Sequence, residues 1–324
     1  MPQSSILDDL VSGVQSALAP AGPHAGGVAT LSWIMFVAAG IIFVVVMALL
    51  AAAILLPPER RRWLAGRRVV IAGGIVFPVV VLSALLVYGL ALAATLSRPD
   101  TSDTLRIQVV GEQFWWRVRY EPDATRASSE EFVTANEIHV PTGRPIRFVL
   151  TTRDVIHSFW IPSLAGKLDM IPGQTNSLVV SAERPGVYRG QCAEFCGGAH
   201  ALMAFEVVAH APDAFDAWRA GQARPAAEPA TPFLARGRDL FLAAGCGACH
   251  TVRGTAAAGT IGPDLTHVGG RRTIAAGTFP NNQGTLAGWI ADSQHLKPSN
   301  KMPSFTVFEG EELRAVAAWL ESLK

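Results

Sequence analysis

The hydrophobic pattern divides the chain into three regimes. In the first, apolar residues run on without interruption: 28–56 and 69–97 each lack any charged side chain. About 20 apolar residues span the hydrocarbon core of a bilayer, so both segments are long enough to cross it with some tilt. In the second regime, from 105 to 208, short β-rich runs alternate with turn residues. Leu105-Arg106-Ile107-Gln108-Val109-Val110, Glu137-Ile138-His139-Val140, Ile146-Arg147-Phe148-Val149-Leu150 and Ser177-Leu178-Val179-Val180 are such runs. Pro141-Thr142-Gly143, Pro172-Gly173 and Pro185-Gly186 punctuate them, and the whole reads as a β-sandwich or barrel. In the third regime a helical period returns. The segment 233–244 places Gly237 and Phe241 one turn apart, and 310–320 places Leu313, Val316, Ala317 and Leu320 on one face. Between the last two regimes, Ala223-Arg224-Pro225-Ala226-Ala227-Glu228-Pro229-Ala230 reads as a semi-rigid Ala/Pro tether. The expected organisation is a tail over 1–27, a two-helix anchor over 28–98, an all-β domain over 99–211, a linker over 212–232 and an all-α domain over 233–324.

Composition agrees with a membrane anchor. Half of the 324 residues are hydrophobic and 16% are charged, too apolar a mixture for an ordinary soluble enzyme of this length. The formal net charge of +1 offers no basic field for nucleic acid. The segment 57–68 holds five Arg and one Glu, whereas the tail before 28 has no Lys or Arg. The positive-inside bias then expects the Arg-rich loop in the cytoplasm and both termini outside. The tail also lacks the basic start of a signal peptide, so the first helix is expected to be retained. Pro78 is expected to kink the second helix.

The candidate chemistry sits in loops. The four cysteines form two close pairs, Cys192 with Cys196 and Cys246 with Cys249. Around the first pair the chain reads Gln191-Cys192-Ala193-Glu194-Phe195-Cys196-Gly197-Gly198-Ala199-His200-Ala201-Leu202-Met203. Thiolate, imidazole and thioether donors together suit copper. A single-copper site needs one Cys, two His and a weak Met, whereas this loop offers two Cys, one His and one Met. His157, in Asp154-Val155-Ile156-His157-Ser158-Phe159, is the candidate second imidazole. Two thiolates can bridge two coppers with one His capping each, a closed site suited to passing electrons. A disulfide is the competing reading, and zinc is disfavoured because Met is a poor zinc ligand. The second pair lies in Cys246-Gly247-Ala248-Cys249-His250, the attachment motif of c-type haem, with His250 to the iron. A thioredoxin-like redox pair competes, but the adjacent His and the lack of a βαβ pattern count against it.

These motifs resemble a known family. The loop 192–203 is similar to the copper loop of cytochrome c oxidase subunit II, Cys-x-Glu-x-Cys-x3-His-x2-Met. Asp154 to Phe159 resembles its upstream His motif, Gly111-Glu112-Gln113-Phe114-Trp115-Trp116 its aromatic segment, and Gly166 to Gly173 its Asp-Ala-Ile-Pro-Gly stretch. The resemblance implies a cupredoxin-like domain holding a dinuclear copper (CuA) centre. His157 and Met203 would complete one copper and His200 the other, Cys192 and Cys196 would bridge, and the Glu194 carbonyl would also ligate. The Glu194 carboxylate would face a magnesium or manganese ion shared with subunit I; as a residue alone it reads as a solvated loop acid. In the last domain, Gly262-Pro263-Asp264-Leu265 resembles the loop that orients the axial His of small class I cytochromes c. Lys301-Met302-Pro303-Ser304-Phe305 resembles the loop supplying the sixth ligand, Met302, whose alternative fate is core packing. Trp289 reads as a propionate partner or as core.

The chain departs from the family in having Phe114 where Trp often leads the aromatic triplet. The run Phe114, Trp115, Trp116 is expected on the electron route, with Phe114 and Trp116 on one face and Trp115 on the other; packing alone is its alternative. The resemblance implies a bacterial plasma-membrane subunit with both metal domains extracytoplasmic. It would take electrons from a cytochrome c or other donor at haem c and pass them to copper and to subunit I, beside subunit III. Subunit I would reduce O2 to water and pump protons; this chain itself would carry no catalytic residue. The copper subunit of a nitric oxide reductase and a membrane-tethered electron carrier or copper-delivery protein are the alternatives.

Overall fold

The computed structural model describes residues 15–96, 104–123 and 130–324. They fall into two compact units, Gly26–Pro99 on one side and Met1–Ala25 with Asp100–Lys324 on the other.

The smaller unit is built on two helices long and apolar enough to cross a membrane, α1 (Pro23–Leu55) and α2 (Arg67–Ala94). Both are apolar around their whole circumference, and side chains such as Phe43, Leu82 and Val87 are exposed, which is the surface a bilayer would cover. The disturbance expected from Pro78 takes the form of a π-helical turn, Ala72–Val76, directly before it. Proline offers no N–H to the carbonyl one turn back, so the ladder loosens there.

The larger unit begins as a sandwich of two five-stranded sheets. One has the order β3-β2-β1-β5-β8 and the other β4-β10-β9-β6-β7. The strands are β1 (Leu105–Glu112), β2 (Trp115–Tyr120), β3 (Phe132–Ala135), β4 (Glu137–Pro141), β5 (Ile146–Thr152), β6 (His157–Trp160), β7 (Leu168–Met170), β8 (Asn176–Val180), β9 (Gly186–Cys192) and β10 (Ala204–His210). Alternation decides which side chains enter the core: Leu105, Ile107 and Val109 of β1 and Ile146, Phe148 and Leu150 of β5 are buried, while Arg106 faces out. Cys192, Cys196 and Met203 belong to this same buried cluster, so the metal loop is packed as core.

The stretch expected as a linker starts as a helix, α3 (Pro212–Gln222). Phe215 is fully buried, Trp218 stacks on His139 with ring centroids 4.0 Å apart, and Arg219 donates to the Glu121 carbonyl at 2.7 Å. The segment that follows is strapped to the last domain. The Ala226 N–H donates to Arg253 O at 2.8 Å, and the Arg253 guanidinium donates to the Gln222 and Ala223 carbonyls.

The last domain crosses α4 (Pro232–Ala243) on α6 (Gly310–Ser322), with α5 (Gln283–Leu296) packed against α6. The crossing requires Gly237, because a Cβ there would stand 2.1 Å from the Ala315 carbonyl oxygen. Thr231 caps α4 ahead of Pro232 at its first position, and Asn282 with Thr285 caps α5 reciprocally. A two-residue hairpin, β11 (Thr273–Ile274) with β12 (Phe279–Pro280), is the only sheet among the described residues of this domain.

Candidate functional site

Two strand ends and one loop assemble the soft donors. His157 opens β6, Cys192 closes β9, and Met203 directly precedes β10; register pairs Phe159 with Cys192 and Ala204 with Gln191. The Cys192 and Cys196 sulfurs lie 3.8 Å apart. His157 Nδ1 is 3.8 Å from the Cys192 sulfur, and His200 Nδ1 is 3.6 Å from that of Cys196. Met203 Sδ is 3.8 Å from the Cys196 sulfur, and the Glu194 carbonyl oxygen is 3.2 Å from that of Cys192. Metal–donor bonds of about 2.0–2.3 Å let donors at these separations share an ion between them. A sulfur pair with one imidazole on each flank therefore fits two bridged ions. Among the described residues, His157, Cys192 and Cys196 form the one group whose donor atoms all lie within 4.8 Å of each other. Neither cysteine is in a disulfide, so the competing reading of this pair does not describe the structure. The Glu194 side chain is half-buried at the rim.

The surroundings hold these donors in place. His157 Nε2 bonds Asp154 Oδ1 at 2.9 Å, which turns Nδ1 toward sulfur; such outer partners fix a ligand's ring orientation. Asp154 in turn accepts the Gln113 N–H at 2.8 Å, and the Gln113 amide donates to the Cys196 carbonyl at 2.7 Å. Burial pushes the Asp154 carboxyl up, but the bonds from Gln113 and His157 outweigh it and hold it below its usual value. Burial likewise works against charge on His157, and its bonds to Cys192 and Asp154 raise it overall. The Cys196 thiol, with His157 and two backbone groups, holds Cys192 down at about 3, while the hydrogen bond to Cys192, burial and its partner's charge drive Cys196 up. Gly111 of β1 is needed beside the imidazole: a Cβ would stand 2.7 Å from His157 Cδ2.

Cys246, Cys249, His250 and Met302 line a single apolar cavity in the last domain, together with Trp289. The His250 Nδ1–H donates to the Pro263 carbonyl at 2.8 Å, leaving Nε2 as the nitrogen free for a metal. Burial holds this imidazole below its usual pKa and thus neutral, the form that ligates. Gly262 allows the ring its place, since a Cβ there would come within 2.6 Å of His250 Cε1. Two thiols, a neutral imidazole and a thioether on one apolar cavity fit a covalently held haem with two axial protein ligands.

The aromatic run lies between these two places, and Phe114 and Trp116 are buried in one core cluster while Trp115 is only half-buried. Strand β2 begins only at Trp115, so Phe114 sits in the preceding turn; Phe114 and Trp115 both line the cavity. Trp116 turns into the sandwich core, its ring 6.0 Å from His157 and 5.2 Å from Phe205. The structure thus brings together every donor singled out from the sequence, in two sets. It adds groups that sequence reading passed over: Asp154 and Gln113 as orienting partners, and Arg117, Arg272 and Lys297 as links between the domains. Asp154 and Gln113 stood inside quoted motifs, three residues before His157 and beside the aromatic run. The linking residues carried no local signal, because their partners are distant in the chain.

The comparisons with known proteins follow the same division. The family described as cytochrome c oxidase subunit II, periplasmic domain, matches residues 105–210, and the cytochrome c family matches 234–324. The cytochrome c oxidase subunit 2 of Alkalihalophilus pseudofirmus is 41% identical over 227 residues, 70% of this chain and 64% of that protein. That of Bacillus subtilis is 32% identical over 232 residues, 68% of this chain and 63% of that protein. The chain thus spans just under two thirds of the length of these relatives. The solved periplasmic domain of subunit II of the Bradyrhizobium japonicum cytochrome oxidase is 30% identical and covers 37% of this chain and 93% of that one, at a TM-score of 0.33.

Proposed function

Because this chain belongs to the cytochrome c oxidase subunit II family and carries a cytochrome c domain behind its copper domain, we propose that it relays electrons from haem c to a dinuclear copper centre. The observation that carries this reading is the adjacency of two donor sets in one compact unit, a sulfur pair flanked by imidazoles and a Cys-x-x-Cys-His cavity. Cys192 and Cys196 would supply the thiolates shared by the coppers, His157 with Met203 and His200 would complete the donor set, and the Glu194 carbonyl would be a further ligand. Cys246 and Cys249 would hold the haem covalently, and His250 and Met302 would ligate its iron. Bound in these places, copper and haem each supply a one-electron couple.

The chain's own residues make that couple fast and selective. Asp154 fixes the His157 ring, and Pro263 fixes that of His250, so little rearranges when charge changes. Both sites are packed with apolar side chains, which keep water out. With protein ligands filling the positions, neither centre would be open to O2. The electron continues to a haem-copper subunit I, which reduces O2 to water with proton pumping and associates with a subunit III. A cytochrome c or another carrier supplies the haem domain. The Glu194 carboxylate faces a magnesium or manganese ion at the subunit I boundary. The chain is anchored in a bacterial plasma membrane by α1 and α2, with 57–68 cytoplasmic and the metal domains outside.

The test is an optical and electron-spin spectrum of the purified full chain, expected to report haem c and a two-copper mixed-valence signal together. Cys196→Ser should abolish the mixed-valence signal and leave the haem absorbance intact. A copper signal that survives this change overturns the dinuclear assignment.

A further inference from the structure

Lys297 is buried, and its Nζ has a complete set of acceptors. It follows α5 in the last domain, is 2% exposed, and donates to the carbonyls of Phe114 at 2.8 Å, Leu202 at 2.9 Å and Ala275 at 2.8 Å. An ammonium has three N–H donors, so three carbonyls use all of them. Two of the acceptors belong to the copper domain, and both matter by position. Leu202 lies between His200 and Met203 in the metal loop, and Phe114 lines the haem cavity. On its own side, Lys297 shares a loop with Met302: Asn300 donates to the Lys297 carbonyl and accepts the Met302 N–H, each at 2.8 Å.

The surrounding backbone is shaped to this contact. Ala275 and Ala276 lie in the left-handed region at φ 54° and 60°, which non-glycine residues seldom occupy. That conformation presents Ala275 O to Lys297 and Ala276 O to the Ala204 N–H of β10 at 3.0 Å. Ser299 packs so closely on Gly198 of the metal loop that a Cβ there would stand 2.5 Å from the serine hydroxyl. Farther out, Arg117 donates to the Thr260 carbonyl at 2.7 Å, and the Arg272 N–H and guanidinium reach Glu137 and Glu206 at 2.7 and 3.0 Å. Residue choice agrees. The chain holds 23 Arg and only four Lys, yet Lys stands at 297. A compact ammonium can point three donors at three converging carbonyls, which a flat guanidinium fork cannot.

We infer that Lys297 is the positioning residue that holds the Met302 loop docked on the metal loop, so that the electron crosses a preformed contact and not a tethered encounter. This deepens the two-centre reading and rests on it. The step itself is one electron: ferrous haem becomes ferric, and the oxidised copper pair is reduced by one electron. A merely tethered domain would have to diffuse to its partner and would feel solvent viscosity and salt; a docked pair would not.

The test uses the purified full chain with both centres loaded and follows intramolecular transfer after flash-induced electron injection. In the wild type the rate should be indifferent to added glycerol and to salt. Lys297→Met removes the donors and leaves three carbonyls buried without them, which should loosen the contact. Its amide hydrogen exchange over 197–204 should then quicken by about tenfold, the effect of leaving buried acceptors unpaired. Transfer should become slower and viscosity-dependent, while both spectra remain. A change of packing alone would not create a viscosity dependence. A wild-type rate that falls with viscosity, or a Lys297→Met chain that matches the wild type in rate and exchange, overturns the inference. Should the variant fail to load, the wild-type viscosity and salt series decides by itself. Absence of either spectrum in the wild type instead overturns the two-centre reading, and the docking role falls with it.

Discussion

At the residue scale, the two metal-loop cysteines behave as one acid before any metal arrives. Their sulfurs are 3.8 Å apart in a buried place, so one proton shared between them is favoured over two or none. Cys192 is held near 3 against a usual value of 9.0, chiefly by the Cys196 thiol. The folded metal-free chain then binds fewer protons than the unfolded chain between those two values, and its stability should rise with pH across that window. Above the ordinary thiol range the sign reverses, because Cys196 resists losing its proton in the fold. Ultraviolet thiolate absorbance of the metal-free chain should therefore show one thiolate at pH 6, and Cys192→Ser should remove it. Two neutral thiols at that pH would contradict the shared-proton account. The same asymmetry prepares the site for metal, which binds thiolate and not thiol.

At the element scale, the interval between the two metal domains behaves unlike a free tether. Helix α3 places Phe215 in the sandwich core at 0% exposure and Trp218 against His139, Tyr120 and Phe132. His139 in turn bonds Glu137 at 2.8 Å and His210 at 2.7 Å, so the helix closes over a polar cluster. Phe215→Ala should cost about 3–5 kcal/mol, as a large ring lost from a packed core does. The midpoint of copper-domain unfolding in denaturant, followed by the metal signal, should fall accordingly, while the haem absorbance is retained. An unchanged midpoint would mean that α3 merely rests on the surface. The aromatic run teaches a related lesson. Although β2 starts only at Trp115, Phe114 shares the buried core with Trp116 and also forms part of the cavity wall, so one ring serves two surfaces.

At the scale of the whole molecule, the proposed orientation rests on one charge contrast. The segment 57–68 carries five Arg, and the tail before 28 carries no Lys or Arg. Cysteines introduced at 61 and at 174 should be labelled by a membrane-impermeant reagent only at the second position in intact cells. Labelling at 61 would invert the topology and place both metal domains on the wrong side for an extracytoplasmic donor. Much of this scale was legible along the chain because its signals are local. Uncharged runs over 28–56 and 69–97, alternating runs from 105, and donor spacings at 192–203 and 246–250 each require only neighbours to be read. His157 was harder, being 35 residues from Cys192; the need for a second imidazole pointed to it, and β6 pairing with β9 is what delivers it. The docking of one metal domain on the other was not legible at all. Lys297 lies 183 residues from Phe114 and 95 from Leu202, and nothing beside it in the chain marks it. Sequence alone determined which donors exist and which regime each lies in, because bond-forming groups and hydrophobic periods are properties of short segments. Tertiary structure alone decided that the segment carrying Lys297 docks on the metal loop, because that lysine is held by carbonyls. Every residue carries one, and only the fold chooses which of them converge on a single buried amine nitrogen.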